Sequence, residues 1–196
     1  MLYVKHFGNN KSNEWLVRQF EIFFNESFWA EKFIPRPDIS IVFHFKDRPL
    51  ILGETNIQLE PFFAAPIIPQ SIVLNFHGTM DTFIVICKPT VFTRVFGIDL
   101  TPIPKRGIDL PYTIFQPLWN VLSQLKTTDE RINHFTNFIN SFQQTPYIPD
   151  VIDVFYEKII KKARPHYSKI LYKNVPPVSA RWNDISLNEQ ALRPKH

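Results

Sequence analysis

The sequence predicts an α+β protein: an antiparallel β-sheet or small barrel with packed helices, followed by a small helical tail that resembles a helix-turn-helix. Three observations predict it. A period of two runs through much of residues 15–88, as in half-buried strands. After Pro89 the apolar spacing changes to three and four, as in amphipathic helices. Charge then divides the chain. Residues 147–196 hold nine Lys/Arg against five Asp/Glu, which leaves 13 of each in residues 1–146. The net charge of +4 therefore lies wholly in the last fifty residues, and two domains are expected, 1–146 and 147–196.

The first strand expected is Trp15–Phe24, which alternates imperfectly and ends at Asn25. In Ile39–Phe45 the residues Ile39, Ile41, Phe43 and Phe45 share one face, with Ser40, Val42 and His44 on the other. Lys46-Asp47-Arg48-Pro49 turns the chain into the short apolar run Leu50-Ile51-Leu52, which Gly53 closes. Pro61, Pro66 and Pro69 stiffen a crossing segment and exclude it from any central strand. Ser71–His77 and Thr82–Cys87 are expected to form a hairpin about Gly78-Thr79-Met80-Asp81.

The helical half opens with Val91–Phe96, stopped by Gly97. A Pro- and Gly-containing loop leads to a second helix beginning near Ile114. The third carries Ile132, Phe135, Phe138, Ile139 and Phe142 on one stripe, with Thr128 or Asp129 as its N-cap. Thr145-Pro146 and Ile148-Pro149 form the linker. Asp150–Ala163 follows, with Val151, Val154, Phe155, Ile159 and Ile160 on one side and Glu157, Lys158, Lys161 and Lys162 on the other. Arg164-Pro165 breaks that helix. A short helix at Lys169–Lys173, a turn at Asn174–Val178 and a Ser179-capped helix over Ala180–Gln190 give the outline of a helix-turn-helix.

Composition sets further bounds. Phe is abundant at 19, and 17 Pro against 5 Gly favour stiff connections over tight turns. The single Cys87 excludes an intrachain disulfide and a multi-cysteine zinc site, and its apolar neighbours Phe83–Ile86 mark it as a core residue. Met1–His6 lacks the basic-then-apolar pattern of a secretory leader, and no apolar run approaches the roughly 20 residues that span a bilayer. The expectation is a cytoplasmic protein with no membrane partner. No nucleophile elbow, P-loop or dinucleotide fingerprint occurs, so no enzyme activity and no cofactor are expected. His44 and His77, with Glu54 and Glu60 nearby in sequence, lack the short ligand spacing of a metal motif, and no metal is expected.

Two segments resemble one family. Cys87-Lys88-Pro89 followed by Arg94-Val95-Phe96-Gly97 is similar to an element in the N-terminal domain of one subgroup of AraC-type transcriptional regulators. Pro37–Phe43, Asp109-Leu110 and Glu130-Arg131-Ile132 add shorter matches, and the likeness spans about residues 15–145. Ile170-Leu171 with Val178-Ser179 and Arg181 resembles the first of the two helix-turn-helix units of that family, with Glu189, Gln190, Pro194 and Lys195 fitting further on. Asn183, Ile185 and Leu187 depart from its pattern, Asn183 standing where the family buries a Leu.

The resemblance implies a transcriptional regulator whose first domain senses a small-molecule effector or forms a homodimer, while the tail contacts DNA. Ser179, Arg181, Lys169 and Lys173 are its candidate DNA contacts. Lys88 and Arg94 are candidates for an effector or anion pocket, set against the alternative that Arg94 ties its short helix to a strand end. The sequence ends at His196 before any second helix-turn-helix unit, so binding is expected to be weak and carried mainly by phosphate contacts. The alternative is a ligand-sensing or protein-interaction module whose DNA-binding region is degenerate and truncated.

Overall fold

The computed structural model describes residues 3–7, 16–33, 38–53, 55–65, 71–98, 107–142, 151–155, 157–159 and 162. The chain divides into two units, Met1–Asp153 and Val154–His196. The first unit is α+β. Its strands are β1 (Tyr3–Phe7), β2 (Leu16–Phe33), β3 (Ile39–His44), β4 (Leu50–Leu52), β5 (Ile57–Gln58), β6 (Phe62–Ala65) and β7 (Ile72–Cys87). Helices α1 (Pro89–Phe96), α2 (Tyr112–Gln124) and α3 (Thr128–Phe142) follow. Every ladder is antiparallel, and the order is β1-β2-β7-β3-β6, with β4 also on β7 and β5 on β4.

β7 is one strand of 16 residues, where the sequence suggests a hairpin. A two-residue reversal of the favoured kind requires positive φ at one or both central positions in a geometry that turns the chain back. Here only Gly78, at φ 67°, takes such a value, and the residues after it remain extended. Gly78 lies at a β-bulge: Glu26↔Gly78 is followed by Trp29↔Phe76, so β2 carries the extra residue. Asp47 fixes the position, its Oδ2 accepting from Thr79 N at 2.7 Å while its own N–H donates to Thr79 O at 3.0 Å. β2 likewise runs on to Phe33 instead of ending at Asn25, because the same irregularity absorbs the polar break after Phe24. β6 is a sheet-edge strand between Pro61 and Pro66, and among the described residues the bridge Ala64↔Ile108 holds its outer side.

The alternation in β3 sorts its residues onto two apolar clusters. Ile39, Ile41 and Phe43 join Phe83, Val85 and Cys87 of β7 beneath the helices, where Phe92, Phe115, Leu118, Leu122, Phe135 and Ile139 cover them. Phe43 lies 6.3 Å from Phe83, 6.5 Å from Phe115 and 6.0 Å from Phe135 by ring centroids. Each such fully buried ring contributes on the order of 2–3 kcal/mol. Val42 faces the other way, with Leu59, Phe63, Leu74, Phe76, Met80, Ile84 and Ile86.

The helix ends follow local chemistry. Pro89 occupies the first turn of α1, and Gly97 closes it at φ 65°, its N–H donating to Thr93 O at 2.8 Å. Pro117 removes one ladder bond from α2 and lies on its exposed side. The cap of α3 is Thr127, one residue before Thr128 and two before Asp129, the expected positions. Thr127 Oγ1 accepts from Glu130 N at 3.2 Å, and the Glu130 carboxylate accepts from Thr127 N at 2.9 Å, a capping box.

Residues 151–155, 157–159 and 162 are helical, within the expected span, but the expected inward face is turned out. Val151, Val154, Phe155 and Ile159 are exposed, whereas Asp153 is buried. A carboxylate with fixed partners accounts for that inversion, as described below. The helix-turn-helix expected over residues 164–196 lies outside the described residues.

Candidate functional site

β3 begins where β7 ends, at the pair Ile39↔Cys87. One residue beyond it come Asp38 and Lys88, both buried, at the threshold of α1. Lys88 has extended backbone (φ −67°, ψ 140°) and stands as the N-cap residue of α1, its carbonyl accepting from Phe92 N at 3.3 Å. Burial pushes the Cys87 thiol pKa up, and the Asp38 charge adds to the rise, so the thiol stays protonated in the core.

Within α1, Thr90 and Arg94 are four residues apart and therefore share a face. Both reach Asp153. Thr90 Oγ1 donates to Asp153 Oδ1, and Arg94 Nη1 lies 3.9 Å from Asp153 Oδ2. The Asp153 side chain is 1% exposed, while that of Arg94 is 42% exposed. A buried carboxylate needs such partners, because desolvation otherwise disfavours its charged form. Of the two residues singled out in the sequence, then, Lys88 is buried at the sheet end and Arg94 faces an internal carboxylate. Asp38, Thr90 and Asp153 were not singled out. The Thr-to-Arg spacing of four was the one local sign that α1 presents a hydroxyl and a guanidinium to a common anion.

A second polar feature lies at the other end of β3. His44 Nδ1 and Thr82 Oγ1 are 2.8 Å apart, and Thr82 is the strand partner of His44. His44 Nε2 is buried without a hydrogen-bond partner. Burial, helped by the nearby Arg48 charge, lowers the His44 pKa to about 3, so the ring is neutral at pH 7. Its backbone is fixed from outside the sheet, where Trp119 Nε1–H donates to His44 O at 2.8 Å. Among the described residues no group of three or more His, Cys, Asp or Glu side chains is arranged to hold a metal ion.

Ser179, Arg181, Lys169 and Lys173 lie outside the described residues. Lys158 and Lys162 of the second unit are exposed, and Lys158 Nζ lies 5.8 Å from the Phe155 ring centroid. Among the described residues no helix is long and apolar enough to cross a membrane.

No protein-family model and no curated protein matches this sequence. Solved structures do match the fold. The Cupin_2 domain of an XRE family transcriptional regulator from Enterobacter cloacae is similar at 12% identity and TM-score 0.35, over 45% of this chain and 97% of that one. An RmlC-like cupin protein from Desulfovibrio desulfuricans is similar at 10% identity and TM-score 0.32, over 44% and 81%. Oxalate decarboxylase from Bacillus subtilis is similar at 9% identity and TM-score 0.35, over 56% of this chain and 38% of that one. The expectation that this protein is no enzyme is corrected here. Oxalate decarboxylase, an enzyme, stands among the similar structures.

Proposed function

We propose that the chain is a transcriptional regulator resembling the AraC family, in which residues 1–146 sense an effector or dimerise and the basic residues 147–196 contact DNA. The observation that carries this reading is the behaviour of the Lys88-Pro89 to Arg94-Val95-Phe96-Gly97 element. It folds as a capped helix at the end of the central strand, and its Arg94 meets Asp153 at the entry to the basic segment. In this reading Lys88 and Arg94 belong to the sensing half, and Ser179, Arg181, Lys169 and Lys173 supply the DNA contacts.

The test is a titration of the full chain against duplex DNA at ~50 and ~200 mM salt. Affinity that weakens steeply with salt is expected, since each neutralised phosphate releases counterions. Replacing Lys169 or Lys173 by Ala lowers the salt slope by about one each. Absence of binding at ~50 mM overturns the regulator reading. It leaves a protein-interaction module, the second reading, which the exposure of Phe155 and Ile159 favours.

A further inference from the structure

The side of the sheet turned away from the helices is apolar, with one buried polar pair set into it. Val42 and His44 share a face of β3, and Leu59, Phe63, Met80 and Ile84 lie on the same side. This side is sealed less completely than the other. Twelve of the fifteen residues in the cluster beneath the helices have no exposed surface, whereas all eight in this cluster keep between 1% and 9%. A water-sized body therefore reaches every one of them.

The hydrogen bonds of His44 do not close within this surrounding. A neutral imidazole carries one N–H and one lone pair. Among the described residues the buried Thr82 hydroxyl has one partner, His44 Nδ1 at 2.8 Å. Thr82 O–H therefore donates to Nδ1, and the ring proton sits on Nε2. The reverse tautomer would leave two groups unpaired, the Thr82 hydrogen and the Nε2 lone pair. Nε2–H is thus a buried donor with no acceptor, an arrangement that protein interiors rarely tolerate.

We propose that His44 Nε2–H anchors a small-molecule site on this side of the sheet, which takes a mainly apolar ligand offering one uncharged acceptor oxygen, such as a ketone carbonyl. The walls select the apolar body, and the lone donor selects the oxygen. A carboxylate fits poorly, since the ring is neutral and the nearby Arg48 guanidinium already meets Glu60 at 3.7 Å and Gln58 at 3.1 Å. The site also has a report to the helices, because the carbonyl of His44 accepts from Trp119 Nε1–H of α2. The inference deepens the regulator reading and rests on its sensing part, not on DNA contact.

Nitrogen NMR on the isotope-labelled full chain tests it. The His44 ring should show its proton on Nε2, and a proton on Nδ1 overturns the proposal. Acetophenone and cyclohexanone then serve as ketone probes, with ethylbenzene as the oxygen-free match and benzoate as the charged one. At least one ketone should shift both the His44 Nε2–H and the Trp119 indole signals, and it should bind at least ~10-fold tighter than ethylbenzene or benzoate. His44→Phe should abolish that preference. Thr82→Val serves if His44→Phe folds poorly: without the hydroxyl the proton redistributes toward Nδ1, and ketone affinity should fall severalfold. No shift with either ketone, or equal affinity for ethylbenzene, leaves Nε2–H to a bound water and overturns the site. Tighter binding of benzoate overturns the uncharged ligand class. All signals are read without DNA, so a failed ketone titration and a failed DNA titration are separate results.

Discussion

Arg131 and Asp81 form a two-point ion pair that joins the first turn of α3 to the middle of β7. Nη1 and Nη2 of Arg131 lie 2.7 and 3.0 Å from Oδ1 and Oδ2 of Asp81. Arg131 Nε donates to Leu122 O at 3.2 Å, and the guanidinium carbon is 4.2 Å from the Phe45 ring centroid. The side chains are 6% and 15% exposed, so little solvent screens the pair. This one arginine thereby binds β7, the end of α2 and the residue after β3 together.

Asp81→Ala should therefore cost about 3–5 kcal/mol, because the guanidinium loses its carboxylate while remaining buried. The double variant Arg131→Met with Asp81→Leu should lose well under the sum of the two single losses. Urea unfolding of the four-member cycle measures this. Strict additivity would show that the pair is energetically uncoupled.

His44 supplies an acid-sensitive contribution. Its folded pKa of about 3 lies below the ordinary 6.5, so below pH 6.5 the unfolded chain takes up a proton that the folded chain refuses. The stability is fully present above pH 6.5 and is lost as pH falls toward 3. Its slope approaches ~1.4 kcal/mol per pH unit in the middle of that window. Comparing wild type with His44→Leu from pH 7 to 5 should show a shallower decline in the variant, and parallel curves would contradict the assignment.

The capping box of α3 makes a separate prediction. Thr127→Ala should cost about 1 kcal/mol, with the loss read as increased exchange in the first turn of α3. Glu130 is held below its ordinary carboxylate pKa, first by the backbone N–H of Thr127 and then by the Thr127 hydroxyl, with Lys126 assisting. Its contribution is thus present above the ordinary carboxylate pKa and fades as pH falls through the lowered one. Glu130→Gln should remove that acid-side dependence, and an unchanged acid limb in thermal melts would count against it.

Gly78→Ala should destabilise the protein by about 1–3 kcal/mol. A Cβ there would stand 2.2 Å from Asp47 Oδ2, at a backbone φ of 67°. Adding Asp47→Ala removes the clash but also the acceptor of Thr79 N, and it leaves the strained φ. The double variant should stay less stable than wild type in urea unfolding, and full rescue would show that steric overlap alone was responsible.

What could be read from the sequence was whatever rests on neighbours in the chain. The alternation of Ile39–Phe45 is reproduced residue for residue, because each face of β3 meets its own apolar cluster. The stripe of α3 and the Gly97 stop are local patterns and could be read in the same way. Gly78-Thr79-Met80-Asp81 misled because its turn-like chemistry serves a bulge equally well, and the deciding partner, Asp47, is remote in sequence. The same remoteness hid the site. Arg94 belongs to a recognisable element, but nothing near Asp153 signals that its carboxylate, and not its apolar neighbours, would be the buried group.

The central position of β7 has a consequence for the order of events on the ribosome. β2, β3 and β4 all pair with β7, and Leu16 near the start of the chain is the partner of Cys87. Three earlier strands therefore emerge without the edge that will join them, and three of the six ladders among the described residues form only once residues 72–87 have been synthesised. Pairings so distant along the chain close slowly. During that interval the β-rich first half is exposed to association with other nascent chains. A slowed or interrupted translation just before Ile72 would thus endanger the yield of folded protein more than the same delay after Pro89.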